Sequence, residues 1–320
     1  MKHHRHSLPL VLAICATALQ AAPYPDRPLR LVIPYAPGGP VDIVGRIVGM
    51  KLTESLGQQV IIDNRAGAGG NIALEIVAKA TPDGYTLLMG ANGPIAINPG
   101  LYSKMPIDTE KDLAAVSMVA SSAMILVAHP SLPAHSVHDL IALAKRNPGG
   151  INYASSGTGS TAHLSSELFK SMAGVSMVHV PYKGAGPALT DLVGGQVQTM
   201  FTGISSTLPY VKSGKLRAIA VSSGQRLPIL PDVPAVAEDL PGYEVVTWYG
   251  LFAPAGTPDA AIDRLQRTLA RVFASVDAQN RLAALGADAH TNTPRQFALA
   301  IGKERAKWAR IIRESGARAD

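Results

Sequence analysis

Three glycine-rich stretches in this chain each follow a short apolar run and precede a helical pattern. Ala36-Pro37-Gly38-Gly39-Pro40 comes after Leu29 to Ile33, and Ser155-Ser156-Gly157-Thr158-Gly159-Ser160-Thr161 comes after Ile151 to Ala154. Tyr182-Lys183-Gly184-Ala185 comes after Met177 to Val180. A helix start carries unpaired N–H groups and the positive end of the helix dipole. Glycines leave that backbone uncovered, so such a loop can hold a carboxylate or phosphate without a charged side chain. Pro40 suits the first helical position, where its missing N–H costs nothing. Gly38, Gly39, Ser155, Ser156 and Thr158 are the first candidates for anion contacts, with Tyr35, Pro37 and Thr161 beside them. Lys183 could pair with an anion or be a solvated loop lysine, and Tyr182 could wall a pocket. Ala91-Asn92-Gly93, after a third apolar run, is a fourth candidate loop through Asn92. Asp42, near the first helix start, is suited to ordering its loop or fixing waters.

Other chemistries fit these residues less well. Gly157, Gly159 and Ala162 match a loose dinucleotide fingerprint, but the next strand ends His179-Val180-Pro181, without the acid that would hold ribose hydroxyls. Ser160 and His163 are three residues apart on one helix. Gly157-Thr158-Gly159-Ser160-Thr161 is not the Gly-x-Ser-x-Gly elbow of a hydrolase, and no acid is placed by sequence to orient His163. His163 therefore enters as a packed or ligand-lining residue. Metal binding finds no support: His135 and His138 near Asp139 are the one close grouping, on a surface helix. Neither a metal nor a cofactor is expected.

The elements around these loops alternate between strand and helix patterns, which predicts an α/β fold with mostly parallel sheets. Strands are expected at Leu29–Ile33, 60–63, 85–89, 151–154, 177–180, 199–201 and 216–221. A helix after the first loop should stop at Gly57. Ser136 with Asp139 reads as a capping box. Thr257-Pro258-Asp259 reads as cap, first-turn proline and first-turn acid of a helix to about Ser275. Two segments, 118–127 and 244–252, are long for single strands. They predict a chain that leaves one lobe, builds a second and returns, a two-segment hinge suited to closing on a ligand. The expected division is lobe 1 at 23–122 plus 248–320 and lobe 2 at 123–247.

The first 22 residues read as a secretory signal: basic Lys2 and Arg5, an apolar stretch Leu8 to Leu19, then Ala21 and Ala22. That stretch is too short to span a bilayer. Cys15 is the chain's one cysteine, and Ile14 before it is too bulky for lipidation. Removal of the signal lowers the formal net charge from +6 to +4 and leaves no cysteine. The exported chain is then held together by hydrophobic cores, which an apolar content of 47% permits. Basic residues are scattered and aromatics are only 5%, so nucleic acid is not an expected partner. The prediction is a soluble, monomeric, periplasmic protein.

Six segments occur in order that together resemble a known family. They are Pro34-Tyr35-Ala36-Pro37-Gly38-Gly39 with Asp42, Asn64-Arg65 with Gly67-Ala68-Gly69-Gly70-Asn71, and Pro82-Asp83-Gly84-Tyr85-Thr86-Leu87-Leu88. Asn152-Tyr153-Ala154-Ser155-Ser156-Gly157, His179-Val180-Pro181-Tyr182-Lys183-Gly184 and Trp248-Tyr249-Gly250-Leu251-Phe252-Ala253-Pro254 follow. The set resembles the Bug family, extracytoplasmic solute receptors of tripartite tricarboxylate transporters. That resemblance implies a two-lobe periplasmic binding fold of the type II, Venus-flytrap kind. It implies that the loops at Tyr35 to Gly39 with Asp42, Ser155 to Thr161, and Tyr182 to Ala185 face one another across the cleft. Family members hold a ligand carboxylate by loop amides, hydroxyls and bridging waters, and such waters can be nearly as favourable as direct contacts. Members that take amino acids often carry an acid where this chain has Thr202-Gly203, so the resemblance favours a carboxylate without an amine, with Thr202 at the site. The implied partners are a membrane permease or, alternatively, a sensor kinase. An enzyme using Ser160 or His163, a hydrolase or isomerase, is the remaining alternative.

Overall fold

The computed structural model describes residues 24–319. The signal segment with Cys15 lies outside them. The N-terminal part runs β1 (Leu29–Ile33), α1 (Pro40–Leu56), β2 (Val60–Asn64), α2 (Asn71–Ala78), β3 (Thr86–Ala91), α3 (Asn98–Leu101) and β4 (Leu113–Ala128). The middle part runs α4 (Val137–Arg146), β5 (Asn152–Ser155), α5 (Thr161–Ala173), β6 (Val178–Pro181), α6 (Ala185–Val193), β7 (Thr199–Gly203), α7 (Ile204–Lys212) and β8 (Arg217–Val221). The chain closes with β9 (Val246–Pro254), α8 (Asp259–Phe273), α9 (Val276–Ala283), β10 (Asp288–Ala289) and α10 (Pro294–Ser315).

These elements form the expected two-lobe α/β fold. In the first lobe β2, β1 and β3 are parallel, and β9 and β4 continue the sheet antiparallel. In the second lobe β7, β5 and β6 are parallel, and β4 joins them antiparallel with β8 on its other side. The long apolar segment is thus a single 16-residue strand, β4, that serves both sheets. Its pairing with β9 ends at Ala123 opposite Val246, and its pairing with β7 begins at Met124 opposite Gly203. Strand hydrogen bonding therefore continues unbroken from lobe to lobe.

The crossing is fastened at Ser222, whose backbone bonds both Met124 and Val245 and whose hydroxyl does so again. Buried Ser222 accepts the Met124 N–H at 2.7 Å and donates to the Val245 carbonyl at 2.6 Å, linking both strands that pass between the lobes. Apolar packing follows the same path. One buried cluster extends from Trp308, Phe297 and Phe252 through Leu126 to Tyr153, Phe169 and Phe201. Val44, Val48 and Leu52 place one stripe of α1 against Leu31 and Ile33 of β1, and the helix stops at left-handed Gly57 as predicted. Several strand boundaries shift by one or more residues from expectation, and one helix start is built differently. Thr257 donates to the Pro254 carbonyl instead of capping, Pro258 occupies the cap position, and Ser275 caps α9.

Candidate functional site

Four helices begin at one cavity between the lobes. The cavity is lined by Gly39, Pro40 and Val41 at the start of α1, and by Ser160, Thr161 and Ala162 at the start of α5. Ala185 opens α6 and Gly203 precedes α7 on its other sides. Gly39, Gly184 and Gly203 stand at cap positions with no side chain to satisfy the first N–H groups. Tyr35, Ala91, Met124, Ser156, Thr202, Thr247 and Tyr249 complete the lining, and no charged side chain is among them. The positive ends of four helices thus surround a space with no counter-ion. A bound anion would meet N–H dipoles and hydroxyls already in place.

Each loop is held from behind by polar side chains. In the first, Asp42 accepts the Gly38 N–H at 3.0 Å, the Arg46 guanidinium at 3.0 Å and the Asn64 amide at 2.9 Å. Burial alone would raise the Asp42 carboxyl, but those hydrogen bonds and the Arg46 charge outweigh it and hold it below the ordinary value. Asn64 also donates to the Tyr35 carbonyl. Asp42 therefore shapes the loop and is not among the residues that line the cavity.

The second loop rests on two stacked histidines. The rings of His163 and His179 lie 4.1 Å apart at 15°, and Tyr153 stacks on the far side of His179. His163 Nδ1 accepts the Gly159 N–H at 3.2 Å, which fixes the proton of a neutral ring on Nε2. Ser155 Oγ accepts the Gly157 N–H at 3.1 Å and lies 2.6 Å from His179 Nε2. Burial, with the Lys170 charge, lowers the His163 pKa to about 4. Burial, with His163 and Lys170 opposing Glu167, lowers that of His179 to about 3. Glu167 accepts from Tyr153 Oη and from Lys170 at 2.7 Å, which closes the network. Ser160 caps α5 by accepting the His163 backbone N–H at 3.2 Å. Ser160 and His163 are thus joined through a backbone amide rather than as nucleophile and base.

The lobes touch directly across the cleft. Ala36 N donates to the Lys183 carbonyl at 3.1 Å, and Tyr102 Oη donates to the Thr158 carbonyl at 3.1 Å. Glycines make this approach possible: a Cβ on Gly186 would lie 2.3 Å from the Pro37 carbonyl oxygen, and one on Gly69 would lie 2.2 Å from that of Thr158. Gly69 also has φ +61°, where a side chain would strain the backbone. A second space shares Tyr35 and Ser156 with the first and is lined by Thr158, Tyr182, Lys183 and the turn at Gly67 to Gly70. Tyr182 Oη donates to Asp191 at 2.7 Å, which orients its ring.

The residues singled out in the sequence fall into three groups. Tyr35, Gly39, Ser156, Thr161, Ala185 and Thr202 line the main cavity, and Thr158, Tyr182 and Lys183 line its neighbour. Pro37, Gly38 and Gly184 provide backbone at the meeting of the lobes; a Cβ on Gly184 would lie 2.8 Å from Ala36 N. Asp42, Asn92, Ser155 and His163 line neither space. Asn92 in particular has its side chain engaged within the fold. It is fully buried, donates to Glu304 at 2.8 Å, and accepts the Trp248 N–H at 2.8 Å, so it anchors β9 in lobe 1. Sequence reasoning missed Thr247 and Tyr249 of β9 and Met124 of β4. Their position where two long strands cross between the lobes is the signal that could have found them.

Among the described residues no helix is long and apolar enough to cross a membrane, and no group of three or more His, Cys, Asp or Glu side chains is placed to hold a metal ion. The sequence has clear relatives. It is 39% identical over 310 residues to the protein BugT of Bordetella pertussis, covering 95% of each chain. Its fold superposes on that of R. palustris Rpa4515, solved with adipate, with a TM-score of 0.90 and 37% identity, covering 92% of this chain and 99% of that one. On MatC of Rhodopseudomonas palustris, solved with bound malate, the TM-score is 0.86 at 33% identity, covering 90% of this chain and 100% of that one. Residues 44–317 match the tripartite tricarboxylate transporter family receptor, TctC. The resemblance read from the six segments is borne out, and the chain belongs to this family of Bug-type solute-binding receptors.

Proposed function

We propose that this protein is a periplasmic receptor that captures a small carboxylate between its lobes and delivers it to the membrane permease of a tripartite tricarboxylate transporter, without chemistry on the ligand. The observation that carries the reading is the meeting of four helix N-termini at a cavity without charged side chains. Relatives solved with adipate and with malate support a carboxylate as ligand. Residues 23–122 with 248–320, and residues 123–247, act as the two closing bodies, and β4 and β9 flex between them. Ligand contacts from both bodies favour the closed form, because only differential binding shifts such an equilibrium. The N-terminal 22 residues serve as the export signal, and the receptor works as a monomer.

A thermal-shift screen of the protein without its signal, unfolded and refolded to strip ligand, tests the binding. The panel holds aliphatic di- and tricarboxylates, aromatic acids, amino acids and sugars. An acid present at 100 times its Kd stabilises the fold by about 2.7 kcal/mol. A response limited to carboxylates is expected; a response to sugars alone, or to nothing, refutes the reading. Uptake of the responding acid by permease vesicles only when receptor is added would establish delivery.

A further inference from the structure

The helix N-termini account for one part of the cavity, and the hinge strand β9 forms another. Successive side chains of a strand point to opposite faces, and Thr247 and Tyr249 share the face that lines the cavity, with Trp248 turned into the core. Thr247 is 7% exposed, and its hydroxyl oxygen is itself buried at the cavity wall, with no hydrogen-bond partner in the protein. Among the described residues the only other buried side-chain polar atom in that condition is Asn98 Oδ1. Buried hydroxyls are ordinarily paired, and leaving one unpaired is unfavourable. Internal pairing was available elsewhere on the hinge: Ser122, directly opposite Thr247 on β4, spends its hydroxyl on the Ala123 and Gly286 carbonyls.

We propose that Thr247 is a specificity-determining residue, and that the ligand is a carboxylate carrying an uncharged oxygen, a hydroxyl or a carbonyl, which pairs with the Thr247 hydroxyl. This deepens the proposed function and rests on it. No charged group in the cavity is available to answer a charge at that position, whereas a hydroxyl can donate to a carbonyl or exchange hydrogen bonds with a hydroxyl. Thr247 pairs with Ser122 one step before the strand-pairing switch at Ala123 and Met124. A ligand oxygen bound there touches the segment that joins the two lobes.

The test uses matched acids with and without the oxygen: malate with succinate, 3-hydroxybutyrate with butyrate, and 4-hydroxybenzoate with benzoate. Kd is measured by calorimetry on the refolded wild type, on Thr247→Val and on Thr247→Ser. The wild type should favour the oxygenated member of at least one pair by about tenfold or more. Thr247→Val should abolish that preference while leaving the other acid's Kd unchanged, and Thr247→Ser should retain it. The unliganded Thr247→Val protein should melt no lower than wild type, because an unpaired hydroxyl is being replaced by a methyl of equal size. A lower melting temperature, a preference that survives in Thr247→Val, or equal weakening of both acids overturns the inference and leaves the receptor reading standing. If acids bind with no preference in any pair, the inference alone falls. If no carboxylate of the wider thermal-shift panel binds the wild type, the receptor reading falls and takes the inference with it.

Discussion

Ser155 Oγ lies 2.6 Å from Nε2 of His179, two strands' ends tied together directly beneath the loop that opens α5. The same oxygen accepts the Gly157 N–H, so one hydroxyl joins a side chain of the neighbouring strand to the turn of the loop. The cavity-facing side of the loop is consequently shaped by side chains that do not line the cavity themselves. Replacing Ser155 by Ala leaves Gly157 N–H and the histidine without their partner and should cost about 1–3 kcal/mol of stability, measured by urea unfolding. Ligand affinity should fall as well, although Ser155 is fully buried.

Acid should weaken the fold through the histidine pair. Both rings are held neutral in the folded protein, at about 4 for His163 and about 3 for His179, against 6.5 when unfolded. Below pH 6.5 the unfolded chain binds protons that the folded chain refuses, so stability is greatest above that pH and falls as pH drops toward 4. The slope is about 1.4 kcal/mol per pH unit for each histidine in that window. His163→Asn keeps an acceptor near the Gly159 N–H but removes one titrating ring. Urea midpoints from pH 7 to 4 should show about half the slope in this variant; an unchanged slope would assign the acid sensitivity elsewhere.

Closure should depend on the absence of a single methyl group. Gly186 lies in α6 without a positive φ, so alanine there suits the helix and meets an obstacle only across the cleft, at the Pro37 carbonyl. Gly186→Ala should melt within a few degrees of wild type yet bind ligand at least about tenfold more weakly. Small-angle scattering should show no ligand-induced compaction in this variant. Equal compaction and affinity in both proteins would mean that the observed approach of the lobes is not needed for binding.

The first loop offers a parallel test through Asp42. Asp42→Ala releases Gly38, Arg46 and Asn64 together, and the loss of a buried carboxylate with three donors should exceed that of a surface ion pair, at about 2 kcal/mol. Arg46→Ala, which removes an exposed partner, should cost less than about 1 kcal/mol. Denaturation midpoints of the two variants check the order.

The hinge hydroxyl should matter in proportion to its two bonds. Ser222→Ala removes the link between Met124 N–H and the Val245 carbonyl and should lower stability by about 1–3 kcal/mol, with faster amide exchange at Met124 and Val245.

Local chemistry was enough to place the strands, the helix starts and the loops that bear the candidate site. Apolar runs of five residues, a proline at the first helical position and glycines at Gly38, Gly39, Gly57 and Gly157 act within a few residues of themselves, so their consequences are written in order along the chain. Two long apolar segments likewise marked the passage between lobes before any contact was known. Asn92 shows where this kind of reading stops. Its position after a strand and before a glycine resembles that of a ligand contact, but its amide is spent on Glu304 and on Trp248, which lie 212 and 156 residues away in sequence. Thr247 is the converse case, a residue with no local sign of function that the meeting of β4 and β9 places at the cavity wall. Whether a polar side chain faces a ligand or a distant backbone group depends on which partners the tertiary fold brings within 3 Å, and no pattern of neighbours along the chain encodes that distance.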